Sequence, residues 1–321
     1  MIRYLVRRSA LLLATGVAGL IAIFVLLRLL PGDPANALLT STATPEQIEA
    51  ARRQVGSDQP VLTQFVRWTS DLAHGDLGTS FTSGTSVGAE IASRLSVTIP
   101  LTLIAFTFAL LIAIPLGYVA ARWRNGPAGL IVSIFSQIGI AVPVFWIAMM
   151  AVIVFAVRLR LVPASGFPPQ GWGTPFLAWT ALVLPVSTIA FVSSASMTRY
   201  TRSAALDVID SGYMACARAL GQSRTRAMIR HGLRNASIPV ISVASIELAT
   251  TFIGAVVVEQ VFALPGLGSM LTRAIAQHDF PSIQGVLLVS TALVLVIGFL
   301  ADVLQRIVDP RLRTSLTGGR A

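Results

Sequence analysis

The residues with chemistry to offer are two glutamates set in a long apolar stretch, Glu247 and Glu259. Glu247 comes about nine residues after the stretch begins at Ile238, which is about 14 Å along a helix and close to the midplane of a bilayer. An ionisable side chain at that depth is costly and normally faces a bundle interior or a water-filled path. Glu259 follows twelve residues later, on nearly the same helical face. The two residues predict a translocation pathway; the alternative is that Glu247 only hydrogen-bonds a neighbouring helix.

Catalytic constellations are missing from the sequence. It contains no His-Glu-x-x-His, no Gly-x-Ser-x-Gly and no Ser-x-x-Lys. Gly266-x-Gly268 has no predicted strand before it, so a dinucleotide site is not expected. The three histidines fall in separate segments and are interpreted as surface residues rather than metal ligands: His74, His231 and His278. We expect a chain that performs no catalysis and binds no cofactor or metal itself.

Charge and hydropathy place the chain in a membrane. Of its residues, 54% are hydrophobic and 12% charged, and several apolar runs reach the roughly 20 residues that span a bilayer. The net charge of +10 would suit nucleic acid, but in a membrane protein the location of positive charge matters more than its sum. All 24 basic residues are arginine. Since a Walker A motif requires lysine, the chain is not expected to be its own P-loop ATPase.

Six apolar blocks predict an all-α polytopic membrane protein with six transmembrane helices. Pro143 is expected to kink the third of them, which a membrane helix tolerates. An even number of spans puts both termini on one side, and that side then holds sixteen arginines against eight on the other. This asymmetry predicts cytoplasmic termini. The blocks are Ala10–Leu30, Val97–Ala121, Gly129–Val157, Phe176–Met197, Ile238–Phe262 and Ile283–Leu304.

The polar segment between the first two blocks carries the signals of two short helices. Thr44-Pro45-Glu46-Gln47 has a capping threonine, proline at the first helical position and glutamine three residues after the cap, and Gly56 should end that helix. A second helix is predicted from Pro60 to Gly75. Its apolar stripe is expected to pack on the protein or the membrane surface: Val61, Phe65, Trp68 and Leu72.

The longest polar interruption is Met197–Asn235, which is helical in composition and carries seven arginines against two aspartates. From the residues alone, it is either a docking surface or a solvated loop. The arginines are Arg199, Arg202, Arg218, Arg224, Arg226, Arg230 and Arg234.

A series of short motifs resembles one family along almost the whole chain. The sequence is similar to an inner-membrane permease of the dipeptide/oligopeptide/nickel class of ABC importers, and specifically to the first of its two permease subunits. The motifs, in order, are Leu-Pro-Gly-Asp-Pro-Ala (30–35), Asp-Gln-Pro (58–60), Gly-Asp-Leu-Gly-Thr-Ser-Phe (75–81), Pro-Ala-Ser-Gly (163–166), Tyr-x-x-x-Ala-Arg-Ala-x-Gly (213–221), Arg-His-x-Leu-Arg-Asn-x-x-Ile-Pro (230–239), Val-Glu (258–259), Phe-x-Leu-Pro-Gly-Leu-Gly (262–268) and Asp-Pro-Arg (309–311).

The resemblance implies the type I ABC importer transmembrane fold and also a role for the polar segment Met197–Asn235. In such permeases this loop carries a Glu-Ala-Ala signature, a coupling helix that ends at a glycine and sits in a cleft of the ATPase subunit. Aligned on Gly221, the signature falls on Ala215-Cys216-Ala217, so its acidic residue is missing here. The residues that the resemblance assigns to this contact are Tyr213, Ala215, Cys216, Ala217, Arg218, Gly221 and Arg224.

The resemblance also implies the rest of the complex. Expected partners are a second homologous permease forming a heterodimer, two ATPase subunits or a fused ATPase with ATP-Mg, an extracytoplasmic substrate-binding protein, and the bilayer of a bacterial inner membrane. The chain is then divided into 1–30 (N-terminus and first helix), 31–96 (extracytoplasmic helical segment), 97–304 (permease core, with coupling loop 197–236) and 305–321 (cytoplasmic tail). The motif residues expected on the extracytoplasmic side are Gly32, Asp33, Pro34, Gly75, Asp76, Pro265, Gly266 and Gly268.

The cargo expected from the family is a di- or oligopeptide. Nickel, glutathione-like and other small solutes are the alternatives with the same architecture. A proton-coupled secondary transporter, with Glu247 as proton carrier, is a rival function, but the matching inverted halves typical of such proteins are not seen in the sequence. A membrane scaffold is a third possibility, which would need neither an intramembrane carboxylate nor a basic docking loop.

Overall fold

The computed structural model of this chain describes residues 2–29 and 44–308, and within these ranges the secondary structure is overwhelmingly helical. A π-helical turn, Val152–Arg158, extends α6, and another, Met228–Gly232, joins α9 to α10. The helices are α1 Ile2–Leu29, α2 Pro45–Val55, α3 Val61–Ala73, α4 Val87–Arg122, α5 Pro127–Ala141, α6 Val144–Ala151, α7 Pro175–Ile209, α8 Gly212–Ala219, α9 Arg224–Ala227, α10 Leu233–Val261, α11 Leu267–Ala276 and α12 Phe280–Val308.

Five of the helical segments are long and apolar enough to cross a membrane, and a bent pair makes a sixth if it counts as one span. The bent pair is α5 with α6 and its π-helical extension, whose axes differ by 102°. The break falls at Val142, whose backbone is extended because the next residue is Pro143. The predicted all-α polytopic fold is confirmed, and the kink expected at Pro143 is a bend slightly larger than a right angle.

The helices run well past the limits of the apolar blocks. α7 continues beyond Met197 to Ile209, and the helical run that contains α10 begins at Arg224 rather than Ile238. Alanine, leucine and arginine are strong helix formers, so the loss of hydropathy did not end the helix. Within the interruption, helix is absent only at residues 210–211 and 220–223.

One compact unit is organised around α7, which packs most extensively against α10 and next against α5. Small residues allow this approach. A Cβ placed on Gly139 of α5 would lie 2.3 Å from Cβ of Ala195, and one on Gly117 of α4 would lie 2.5 Å from Cβ of Thr201. Glycine at these positions lets the helix axes approach, as is common between membrane helices. Of the described residues, this unit comprises 2–8, Ile99–Ala263 and 296–308.

The second compact unit contains α2, α3 and α11, and its described residues are 9–29, 44–98 and Leu264–Leu295. Its α2 begins as the sequence predicts. Oγ1 of Thr44 accepts from the Gln47 amide at 3.4 Å, and the Gln47 side chain accepts from the Thr44 amide at 2.9 Å. Gly56 ends the helix with φ +74°. The local signals for this helix are confirmed at both ends.

The apolar stripe of α3 faces α1 inside the second unit. The ring centroids of Phe24 and Phe65 are 5.1 Å apart, and those of Phe24 and Trp68 are 5.9 Å apart. Leu72 is also partly buried, but Val61 is 57% exposed. Of the two predicted alternatives, the stripe packs on the protein, except at its first residue.

Candidate functional site

The first candidate site is α8, the short helix between α7 and the run that leads into α10. Met214 and Ala217 are three residues apart and lie on one helical face. They are 3% and 7% exposed and pack with Val208, Ala227 and Met228 in a small core. Burial of this apolar face fixes the orientation of α8 against the rest of its own compact unit. The packing is also what stabilises α8, because a helix of eight residues is too short to be stable alone.

The opposite face of α8 is open. Tyr213 is 42% exposed and Leu220 78% exposed, and Ala215, Cys216 and Arg218 are exposed between them. Ala217, expected among the contact residues, is on the buried face instead. Its small side chain permits the close packing of α8 and is not available at the surface. The exposed set is called the α8 surface below: Tyr213, Ala215, Cys216, Arg218, Leu220, Gly221 and Arg224.

Gly221 ends α8 with a geometry that explains its identity. Its φ is +82°, the left-handed region that side chains with a Cβ disfavour. The Gln222 amide donates to the Ala217 carbonyl at 3.1 Å and the Gly221 amide donates to the Arg218 carbonyl at 3.0 Å. These two bonds form a Schellman motif. A Cβ on Gly221 would meet no atom within 4 Å, so the backbone conformation is the whole constraint.

The second candidate site is a polar cluster between α7 and α10. Ser196 Oγ donates to Glu247 Oε2 at 3.1 Å, and the two residues are partly buried. One turn along, the hydroxyls of Ser193 and Thr251 are 3.1 Å apart and both side chains are buried. Thr251 also donates to the Glu247 carbonyl at 2.7 Å. Glu247 therefore hydrogen-bonds the neighbouring helix α7. Its side chain is only partly buried, so the carboxylate is still accessible at the surface of the chain.

The side chain of Glu259 is less exposed than that of Glu247. It was expected in the same pathway, but its side chain is 0% exposed. Phe252, Ala255 and Val258 are also buried on α10, so the helix is enclosed near its end. In this conformation Glu259 is a buried carboxylate, and its role in a pathway stays a prediction. Twelve residues are three and a third helical turns, so Glu259 lies about 120° around α10 from Glu247 and the expected shared face was wrong.

The motif residues of the second unit shape its loops. Gly75 follows α3 with φ +79°, and Asp76 Oδ1 accepts from the Gly78 amide at 2.8 Å. Gly266 precedes α11, where the Leu267 amide donates to Thr98 Oγ1 at 2.9 Å. Pro265 adjoins that cap and Gly268 is buried in the first turn of α11. The expected motif residues Gly32, Asp33 and Pro34 lie outside the described residues.

Asp279 is a functional candidate that sequence reasoning missed. It is 3% exposed and precedes α12. Its carboxylate accepts from the hydroxyls of Ser80 at 2.6 Å, Ser282 at 2.8 Å and Thr82 at 3.3 Å, and from the Phe81 amide at 3.0 Å. Its main partners belong to the Gly-Asp-Leu-Gly-Thr-Ser-Phe motif, about 200 positions earlier. That motif was a usable signal, since three of the four donors sit in or beside it.

Two family descriptions match consecutive parts of the chain. The binding-protein-dependent transport system inner membrane component matches residues 113–314, and the N-terminal domain of such components matches residues 1–102. The chain belongs to this family. The N-terminal match ends and the 113–314 match begins within α4. The 113–314 match covers α8 and the polar cluster, so both candidate sites lie in this domain of a binding-protein-dependent transport component.

Relatives of known sequence match over nearly their whole length. A protein of Brucella abortus (strain 2308) named "Putative peptide transport system permease protein" is 40% identical over 291 residues, which is 90% of this chain and 92% of that protein. The glutathione transport system permease protein GsiC of Escherichia coli (strain K12) is 34% identical over 313 residues, 98% of this chain and 99% of that protein.

Solved structures share the fold. A chain of the MetNI methionine ABC transporter, from a study of its inward-facing conformations, has a TM-score of 0.58 at 19% identity and covers 68% of this chain and 96% of its own. A chain of an amino acid ABC transporter has a TM-score of 0.54 at 17% identity, covering 68% and 94%. The type I ABC importer membrane fold implied by the sequence motifs is confirmed.

Proposed function

We propose that this chain is the permease subunit that forms half of the translocation pathway of an ABC importer for short peptides. A substrate-binding protein delivers the peptide on the extracytoplasmic side, and a second, homologous permease completes the pathway as a heterodimer. Both termini lie in the cytoplasm, on the side of α8. Family membership and the fold of an ABC transporter membrane chain support this assignment.

The observation that carries the proposal is the two-faced packing of α8. One face of α8 is buried in the small core formed with Val208, Ala227 and Met228, and the other face is exposed. In the sequence, α8 connects α7 to the helical run that contains α10. We assign the α8 surface to an ATPase subunit, which binds and hydrolyses ATP-Mg, while this chain performs no chemistry. Rigid-body closure of the ATPases would then move α8 and the helices joined to it as one packed body.

Peptide cargo is supported by the names of the relatives. The Brucella protein is named for peptide transport and GsiC for glutathione transport, and glutathione is itself a small peptide. Within the polar cluster, the partly buried Ser196 and Glu247 offer a hydroxyl and a carboxylate to a solute that carries amides and an ammonium group, while the buried Ser193 and Thr251 support them from behind. Glutathione is the second candidate, favoured by the match to GsiC over almost the entire chain.

The coupling assignment is tested at Gly221 in the complex reconstituted into liposomes. In Gly221→Val a β-branched side chain must adopt φ +82°, so the end of α8 should distort and uptake per ATP hydrolysed should fall at least several-fold. Gly221→Asn is the matched control, since asparagine tolerates the left-handed region and should keep most of the coupling. Equal coupling in both variants would place the ATPase contact elsewhere.

The pathway assignment is tested at Glu247. Glu247→Leu should leave the complex assembled, as judged by co-purification of its subunits, and should lower peptide uptake. Glu247→Gln keeps the side-chain length and one acceptor oxygen for Ser196, and should retain more activity than the leucine variant. Uptake by Glu247→Leu at the wild-type rate would contradict a role in the pathway and leave only the helix–helix hydrogen bond.

A further inference from the structure

A cavity of about 240 Å³ lies beside α8, at the junction of α4, α7 and α9. Four arginines line it, Arg122, Arg124, Arg218 and Arg224, together with Asp210. They come from the end of α4, the turn after it, the end of α8 and the start of α9. Four guanidinium groups from separate segments are thus brought to one small volume.

The charges around the cavity are unbalanced. Asp210 is the single carboxylate among the described residues that line it, and its Oδ2 is paired with Arg124 at 2.5 Å. Three further arginines line the space, and like charges that are brought close together repel each other. Buried Ala121, Met214 and Met228 form apolar walls, which exclude water from that side and weaken the screening of these charges. An anion in the cavity would remove this repulsion.

The side chains indicate which anion fits. Arginine presents a planar fork of N–H donors that matches the oxygens of a phosphate. The volume holds a phosphate group with several waters, since a liquid water molecule takes about 30 Å³. A carboxylate would engage one fork, whereas a phosphate can accept from several guanidinium groups at once.

The position of the cavity indicates where the phosphate comes from. Arg122 ends a helix long and apolar enough to cross the membrane, and its guanidinium lies 5.6 Å from the ring centroid of Trp123. Trp123 is 50% exposed. An exposed tryptophan followed by polar chain at the end of a span is typical of the headgroup level. A basic cavity at that level on the arginine-rich side is placed to meet acidic lipids.

We propose that this cavity is a phosphate-binding site, which an acidic phospholipid headgroup occupies next to α8. The ligand neutralises Arg122, Arg218 and Arg224 and links α4 to both ends of the turn between α8 and α9. It thereby stiffens the base of α8. The site does not depend on which solute the complex carries.

The test uses the full chain purified in a neutral detergent, and measures its thermal midpoint against added lipid. Phosphatidylglycerol should raise the midpoint at lower concentration than phosphatidylcholine does. In Arg122→Gln with Arg218→Gln, the phosphatidylglycerol concentration needed should rise about tenfold, because two charge-assisted contacts are lost. The matched control, Arg226→Gln with Arg230→Gln, removes two exposed arginines that do not line the cavity and should respond like the wild type.

Inorganic phosphate without lipid distinguishes the source. A stabilisation by phosphate that equals that by phosphatidylglycerol, and is lost in the Arg122/Arg218 variant, would support the site with a free phosphate as ligand. An equal loss in both double variants would overturn the proposal in favour of diffuse surface charge. Unchanged lipid and phosphate responses in the Arg122/Arg218 variant would also overturn it.

Discussion

Replacing Gly139 by alanine tests how closely α5 approaches α7. The new Cβ would start 2.3 Å from Cβ of Ala195, whereas ordinary contacts between such atoms begin at 3.4 Å. The two helices must separate by about 1 Å to relieve this overlap, and overpacking of this kind costs about 1–3 kcal/mol. Alanine has a higher helix propensity than glycine by about 1 kcal/mol, which offsets part of the cost. We expect a net destabilisation of up to about 2 kcal/mol.

The matched control is Gly254→Ala in α10, where a Cβ would meet no atom within 4 Å. It carries the same gain in helix propensity without the overlap, so it should be neutral or slightly stabilising. The difference between the two variants isolates the steric cost. Thermal unfolding in detergent, followed by tryptophan fluorescence, should show Gly139→Ala melting several degrees below Gly254→Ala, at about 2–4 °C per kcal/mol for large domains.

A compensating change makes the test specific. In the double variant Gly139→Ala with Ala195→Gly, the methyl group removed from α7 makes room for the one added to α5. The thermal midpoint should then return towards that of wild type, reduced only by the lower helix propensity of glycine in α7. If Gly139→Ala is as stable as Gly254→Ala, α5 and α7 are too far apart for a Cβ at position 139 to overlap Ala195, and the close packing inferred from these small residues is refuted.

Three further predictions concern a buried carboxylate, an exposed ion pair and the glycine that ends α8. Asp279→Asn should lower the thermal midpoint clearly, because each hydrogen bond to a buried charged acceptor contributes about 1.5–3 kcal/mol, while the exposed Asp71→Asn should not. Asp210→Asn should change stability by less than about 1 kcal/mol, and 1 M salt should abolish the effect, because its ion pair with Arg124 is solvent-accessible. Gly221→Val should also expose the end of α8 to proteolysis, which limited digestion and mass spectrometry would detect, with Gly221→Asn resistant.

Features set by neighbouring residues could be predicted from the sequence. The capping box at Thr44, the glycine end at Gly56 and the break at Pro143 each depend on a few adjacent positions. The number and type of the spanning segments follow from hydropathy in the same way. These signals are local, so a single sequence carries them completely.

Features that depend on which surfaces meet could not be predicted. Ala217 and Tyr213 belong to one motif, but only the packed core beneath α8 decides that the first is buried and the second exposed. Asp279 joins partners about 200 positions away, and no periodicity connects those segments. Glu259 lies on the same helix as Glu247 but is fully buried, which follows from neighbouring elements rather than from α10 itself.

The length of α7 has a mechanical consequence. Its 35 residues form one helix through Pro185, about 52 Å long, against about 30 Å of hydrocarbon. A sideways displacement of about 4 Å at the α8 end would tilt such a rod by about 4° about its far end. The helical run on the other side of α8, from Arg224 to Val261, is interrupted by the π-helical turn Met228–Gly232. A displacement of α8 would therefore tilt α7 as one continuous helix, whereas the second run changes its hydrogen-bonding pattern close to α8.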